Sequence, residues 1–143
     1  MREFMPSEEQ KMLIDAARTA RDMSYSPYSH FKVGAALITS GGKIFTGCNI
    51  ESAAFSPTNC AERTAFFKAV SEGEKQFAAM AMVGAQTGSP LAFCMPCGVC
   101  RQVMREFCDP KTFEVWVSRE DYLTRSYFLE ELLPEGFGPD NLI

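Results

Sequence analysis

The sequence holds no long apolar run, no cluster of Lys and Arg, and a single histidine, His30. Each scarcity removes a class of function. Without about 20 consecutive apolar residues there is no candidate membrane-spanning helix. No basic start followed by an apolar core opens the sequence, so no export signal is expected and the cytoplasm is the expected location. A nucleic-acid partner needs clustered positive charge, whereas 14 Lys and Arg here stand against 18 Asp and Glu, for a formal charge of −4 and a pI near 5.0. What is present is ordinary globular material: 143 residues, 46% hydrophobic and 22% charged, with neither an internal repeat nor a linker. A chain of that length buries about two-thirds of its unfolded surface, so residues 1–143 are expected to form one domain. Six cysteines remain to be explained. Without an export signal they point to metal binding or catalysis rather than to a disulfide framework.

The patterning alternates helix and strand signals. Ser7-Glu8-Glu9-Gln10 is a capping-box start, and Leu13, Ala16, Ala17 and Ala20 recur at helical spacing, predicting a helix over 8–23. Pro27 disfavours helix for the residue before it. Phe31 to Thr39, the turn Ser40-Gly41-Gly42-Lys43, and Ile44 to Asn49 read as a strand, a tight turn and a second strand. A helix is expected from Cys60 to about Ser71 with Gly73 as its stop, then a buried strand from Phe77 to Ala85. A helix from about Cys97 to Phe107, a strand from Thr112 to Val117 and a last helix from Leu123 to Leu133 complete the reading. The order α-β-β-α-β-α-β-α implies helices on both faces of one mixed sheet.

The informative feature is Thr58-Asn59-Cys60-Ala61-Glu62-Arg63 followed by Pro96-Cys97-Gly98-Val99-Cys100. Two thiolates at Cys-x-x-Cys spacing converge on one ion, and this pair opens a predicted helix whose free N–H groups and positive dipole end favour thiolates. Cys60 starts another such helix. Three sulfurs without an evident fourth protein ligand describe an open tetrahedral zinc site, the catalytic type. Glu62, two positions after Cys60, is placed to move protons at the fourth vertex without binding the metal. Arg63 is placed to offset part of the negative charge by donating to the sulfurs.

Other readings compete. Cys94, Cys97 and Cys100 open a ferredoxin-type run, but the next cysteine, Cys108, comes eight positions on rather than three. A structural zinc knob with Cys48, Cys94 or Cys108 as fourth ligand is the stronger rival, and it leaves Glu62 without purpose. Individually these three cysteines read as small buried hydrophobes, and His30 as a structural donor. Phe31 is either a core residue or a flat face for a planar heterocycle. Asn49 and Glu51 share one face of an extended segment, as turn residues or as a pair for sugar hydroxyls; a carboxylate there disfavours a phosphate.

The arrangement ligand-x-Glu, then Pro-Cys-x-x-Cys, is similar to that of zinc nucleobase deaminases. With Tyr25-Ser26-Pro27-Tyr28-Ser29-His30-Phe31-Lys32-Val33-Gly34-Ala35-Ala36-Leu37, Asn49-Ile50-Glu51, Thr58 to Ala65, Pro96 to Gln102 and Leu132-Leu133-Pro134, the sequence resembles the small homotetrameric zinc-dependent cytidine deaminases over nearly its whole length. The resemblance implies a cytidine deaminase-like fold, three-layer α/β/α with a mixed five-stranded sheet. It implies one Zn2+ per subunit on Cys60, Cys97 and Cys100, Glu62 as proton shuttle, and Arg63 bonded to the ligand sulfurs. Phe31 would lie against the pyrimidine, Asn49 and Glu51 on the ribose, with the Ala61 N–H on the base carbonyl and Ala53 offering backbone contact. Phe137 would enter a neighbouring subunit's site. Phe55 stands where that family more often has tyrosine. The implied reaction is hydrolysis of cytidine and deoxycytidine to uridine and deoxyuridine plus ammonia, in pyrimidine salvage. The alternative is a related deaminase of another aminopyrimidine nucleoside or of an antibiotic such as blasticidin S. A polynucleotide substrate fits worst, for want of basic surface.

Overall fold

The computed structural model describes the whole chain, Met1–Ile143. Its elements run β1 (Arg2–Phe4), α1 (Glu8–Arg21), β2 (Phe31–Thr39), β3 (Ile44–Cys48), α2 (Ala61–Ser71), β4 (Phe77–Gln86), α3 (Gly98–Phe107), β5 (Glu114–Ser118), β6 (Thr124–Phe128) and α4 (Leu129–Leu132). The capping box forms as the sequence implies: the Gln10 N–H donates to Ser7 Oγ and the Ser7 N–H to Gln10 Oε1. Gly42 takes a positive φ of 92° in the β2–β3 turn, and Gly73, at 91°, follows α2.

The strands join in the order β1-β6-β5-β4-β2-β3, with β4 and β5 parallel and every other pair antiparallel. Alternation along the central strands builds a core on each face. Ala36, Ala81, Val83 and Ala85 meet Leu13, Ile14 and Ala17 of α1. Ala35, Leu37, Met80, Met82, Val115 and Val117 meet the opposite layer, where α2 contributes Phe66 and Ala65, α3 Met104, and α4 Leu129 and Leu132. The result is the expected α/β/α layering about a mixed sheet.

The sheet has six strands, not the five expected. Residues 123–133 also depart from the helix expected there, because Thr124–Phe128 is strand β6 and only Leu129–Leu132 is helical. The buried face of β6 carries Thr124 and Ser126, hydroxyls in place of apolar side chains, so hydrophobic periodicity gave no strand signal. Thr124 Oγ1 donates within the fold to Tyr122 O or Ser118 Oγ, which satisfies it without water. Strand β1, three residues long, pairs with β6 at the sheet edge (Arg2 opposite Ser126) and is too short to show a pattern. No helix is long and apolar enough to cross a membrane.

Candidate metal centre and substrate cavity

Close approach of helix to sheet places the first site residues. Gly47 of β3 lies under α2: a Cβ there would meet Ala61 O at 2.4 Å and Ala65 N at 2.6 Å, so only glycine allows the first turn of α2 to sit so near the sheet. Thr64 Oγ1, 3.1 Å from Cys48 O, and Lys68 Nζ, 2.5 Å from Thr46 O, tie the helix along the same strand.

Cys60 is the N-cap of α2 and Cys97 the N-cap of α3, both extended, with φ −76° and −69°. Neither sulfur makes a side-chain capping bond, so both are free to point at one another across the two helix starts. Cys100 lies one turn into α3 and is buried. The three Sγ atoms fall within 4.8 Å of one another, with Cys60 to Cys97 at 3.7 Å and Cys97 to Cys100 at 3.5 Å. A tetrahedron with Zn–S bonds of about 2.3 Å has edges of roughly 3.8 Å, so the sulfurs already stand at nearly the spacing that zinc requires. Two helix N-termini converge on them, and their dipoles favour the anionic form of the ligands. The trio therefore fits a zinc ion, and Cys48, Cys94 and Cys108 stand outside it.

The charge on the trio is managed by its neighbours. Hydrogen bonding to the Cys100 thiol brings the Cys60 thiol down to about 5; burial opposes this, and Arg63 and Cys97 add to it. The Cys100 thiol moves the opposite way, since it donates to Cys60 and is buried. A bound dication removes that asymmetry, because every ligating thiol then loses its proton. Arg63 Nη2 lies 3.4 Å from Cys60 Sγ, while its buried Nε has no partner in the protein.

A cavity of about 230 Å³ opens beside the sulfurs, lined by Phe31, Val33, Asn49, Glu51, Thr58, Asn59, Cys60, Ala61, Glu62, Met82, Cys94, Met95 and Cys97. Glu62, on the first turn of α2, is 3% exposed, and burial pushes its carboxyl up to about 7. At the other end the chain passes through paired bridges, Tyr25 with Ile50 and Ile50 with Asn59, which bring three loop segments together. Asn49 Oδ1 accepts from Val33 N at 2.9 Å, and Asn49 Nδ2 donates to Phe31 O at 2.8 Å, so opposite backbone polarities fix the amide's orientation. Glu51 Oε1 accepts from the N–H groups of Tyr28 and Ser29, and hydrogen bonding from the Ser29 side chain holds its carboxyl below the usual range.

Of the residues expected from the sequence, Phe31, Asn49, Glu51, Ala61, Glu62, Cys60 and Cys97 line this one cavity. Ala53 does not: it sits in the exposed turn after Glu51. Phe137 is also outside it, 57% exposed, in a separate groove with Gln102, Glu106 and Pro139. Cys108 is buried as expected, but Cys48 and Cys94 are half-buried, and Cys94 lines the cavity with Met95. Gly84 makes room for it, since a Cβ there would meet Cys94 Sγ at 2.8 Å. Val33, Asn59 and Met82 were not expected at the site. Val33 lies two residues after Phe31 and so on the same strand face, and Asn59 precedes a ligand, but Met82 is placed only by its register opposite Ala35.

The geometry agrees with known proteins. The family model for the cytidine and deoxycytidylate deaminase zinc-binding region matches residues 7–115. The chain belongs to this family. A cytidine deaminase of Sporosarcina psychrophila is 47% identical over 130 residues, covering 91% of this chain and 92% of that one. A probable cytidine deaminase of Dictyostelium discoideum is 46% identical, covering 97% of this chain and 90% of its own. Among solved structures, the cytidine deaminase of Burkholderia pseudomallei superposes with a TM-score of 0.81 at 46% identity, over 92% of this chain and all of that one (100%). As in its family, the centre formed by the three cysteines is a zinc centre.

Proposed function

We propose that the chain is a zinc-dependent cytidine deaminase that adds water to cytidine or deoxycytidine and releases ammonia, leaving uridine or deoxyuridine. The observation that carries this reading is one cavity with three sulfurs and a buried carboxylate at one end and Asn49 with Glu51 at the other. A nucleoside spans the two: its amino-bearing carbon belongs at the sulfurs and its sugar at the amide and carboxylate. Zinc on Cys60, Cys97 and Cys100 supplies Lewis acidity and brings the pKa of water into the neutral range.

The protein's own groups do the rest. Glu62, held in a dry position by burial, takes a proton from the attacking water and gives it to ring N3, then moves the proton of the new C4 hydroxyl to the amino group, which leaves as ammonia as the carbonyl forms. Phe31 lies against the base, and the Ala61 N–H at the start of α2 donates to the base carbonyl. The second Nδ2 hydrogen of Asn49 and the Glu51 carboxylate provide a donor and an acceptor for sugar hydroxyls. The absence of a basic lining, with Glu51 at the sugar end, favours a nucleoside over a nucleotide.

The finer reading is that residues 1–143 act as one catalytic domain in a cytoplasmic homotetramer serving pyrimidine salvage, with Phe137 entering a neighbour's site. Exposed Tyr25, Tyr28, Ile50 and Phe55 near the sugar-end loops, and exposed Phe137, support association. The test is loss of cytidine absorbance on adding zinc-loaded protein, with ammonia released in equal amount. Cytidine and deoxycytidine should turn over while adenosine, guanine and blasticidin S do not. Turnover of blasticidin S but not cytidine would replace this reading with the antibiotic one.

A further inference from the structure

Arg101 directly follows the ligand Cys100, yet its side chain neither lines the cavity nor touches a sulfur. It forks instead between two carbonyls. Its Nε donates to Pro96 O at 2.8 Å and its Nη1 to Leu132 O at 2.7 Å. Both acceptors need such a partner. Pro96 is buried and stands immediately before ligand Cys97, so its carbonyl faces protein rather than water. Leu132 ends α4, where the last carbonyls of a helix have no partner within it. One turn of α3 thus satisfies the loop that delivers Cys97 and the end of the last helix with a single planar cation. The next residue extends the same strap: Gln102 Nε2 donates to Phe137 O at 2.8 Å, so the segment after α4 is held along α3 at both ends.

We propose that Arg101 is a positioning residue for the metal centre. It clamps the Pro96–Cys97 peptide against the end of α4 and thereby fixes the Cys97 sulfur relative to Cys60 and Cys100. The retention of zinc depends on the C-terminal segment through this one guanidinium. The proposal rests on the zinc reading of the three cysteines. It requires Arg rather than Lys, because a lysine ammonium is a compact point charge that does not reproduce a fork spanning two carbonyls. Outer partners of metal ligands are worth about 10- to 100-fold in metal affinity when removed, which sets the expected scale.

The test is the rate at which zinc passes from the purified holoprotein to an excess of a chromogenic chelator, read without substrate. Arg101→Ala should release zinc about 10- to 100-fold faster than the unmodified chain, and Arg101→Lys several-fold faster. Arg105→Ala is the control: Arg105 lies one turn further along α3 and pairs with Asp140 at 2.6 Å without reaching the metal loop. It should release zinc within about twofold of the unmodified rate, because that ion pair lies outside the clamp. If Arg101→Ala does not fold, Arg101→Lys decides. Release from the Arg101 variants at the Arg105→Ala rate would overturn the clamp while leaving the zinc centre standing. An unmodified chain that binds no zinc would overturn both.

Discussion

Gly47→Ala should damage catalysis through a single added methyl that touches no substrate. The new Cβ would stand 2.4 Å from Ala61 O, 2.6 Å from Ala65 N and 2.9 Å from Thr64 Cβ. All three belong to the first turn and a half of α2, and two are backbone atoms that no rotamer change can move. Ordinary contact is restored only if α2 lifts from β3 by about 1 Å. Overpacking of this kind costs about 1–3 kcal/mol, or roughly 1 M in the urea midpoint of a domain this size. The same shift moves Cys60 and Glu62 relative to Cys97 and Cys100, which ride on α3. A misplacement of 1 Å at a reacting centre costs about 10²-fold in rate. Gly34→Ala provides the contrast. Its Cβ would meet Ala17 O and Arg21 N of α1, also below 3.0 Å, but on the opposite face of the sheet from the metal ligands. It should lose at least as much stability, since its contacts are tighter, and keep its rate per zinc-loaded folded molecule within about threefold, because α1 supplies no group to the site. Urea denaturation, zinc content and cytidine turnover on both variants check this. A Gly47→Ala protein with unchanged midpoint and rate, or two variants indistinguishable in rate, would refute the reasoning.

Other substitutions separate the remaining roles. Glu62→Gln keeps shape and burial but cannot move protons, so zinc content should remain at one per chain while turnover falls by at least about 10²- to 10⁴-fold; metal analysis beside a deamination assay checks both. Cys97→Ala should lose zinc and activity together, and a zinc-replete, active variant would remove Cys97 from the ligand set. Ser7→Ala removes the capping-box acceptor far from the cavity and should cost about 1 kcal/mol in denaturation with turnover unchanged.

The site was more legible than the sheet. Chemistry confined to Cys60, Glu62, Cys97 and Cys100 is written in short spacings, and a helix N-cap converts such spacings directly into geometry. The capping box at Ser7 and the β2–β3 turn were legible for the same reason, since each is decided by neighbours in sequence. Strand β6 was not. Its buried positions hold Thr124 and Ser126, whose hydroxyls find partners that only the folded sheet supplies. Strand β1 is too short to show a period and exists by pairing with β6. The cavity walls divide in the same way. Asn59 adjoins a ligand, whereas Met82 depends on strand register, and Cys94 reaches the cavity where Gly84 leaves space.

The most direct measurement is X-ray absorption at the zinc edge of the purified protein. Three sulfurs at about 2.3 Å with one light oxygen or nitrogen scatterer are expected, as an open catalytic centre requires. Four sulfurs would mean that a further cysteine closes the centre, leaving no place for water and no task for Glu62.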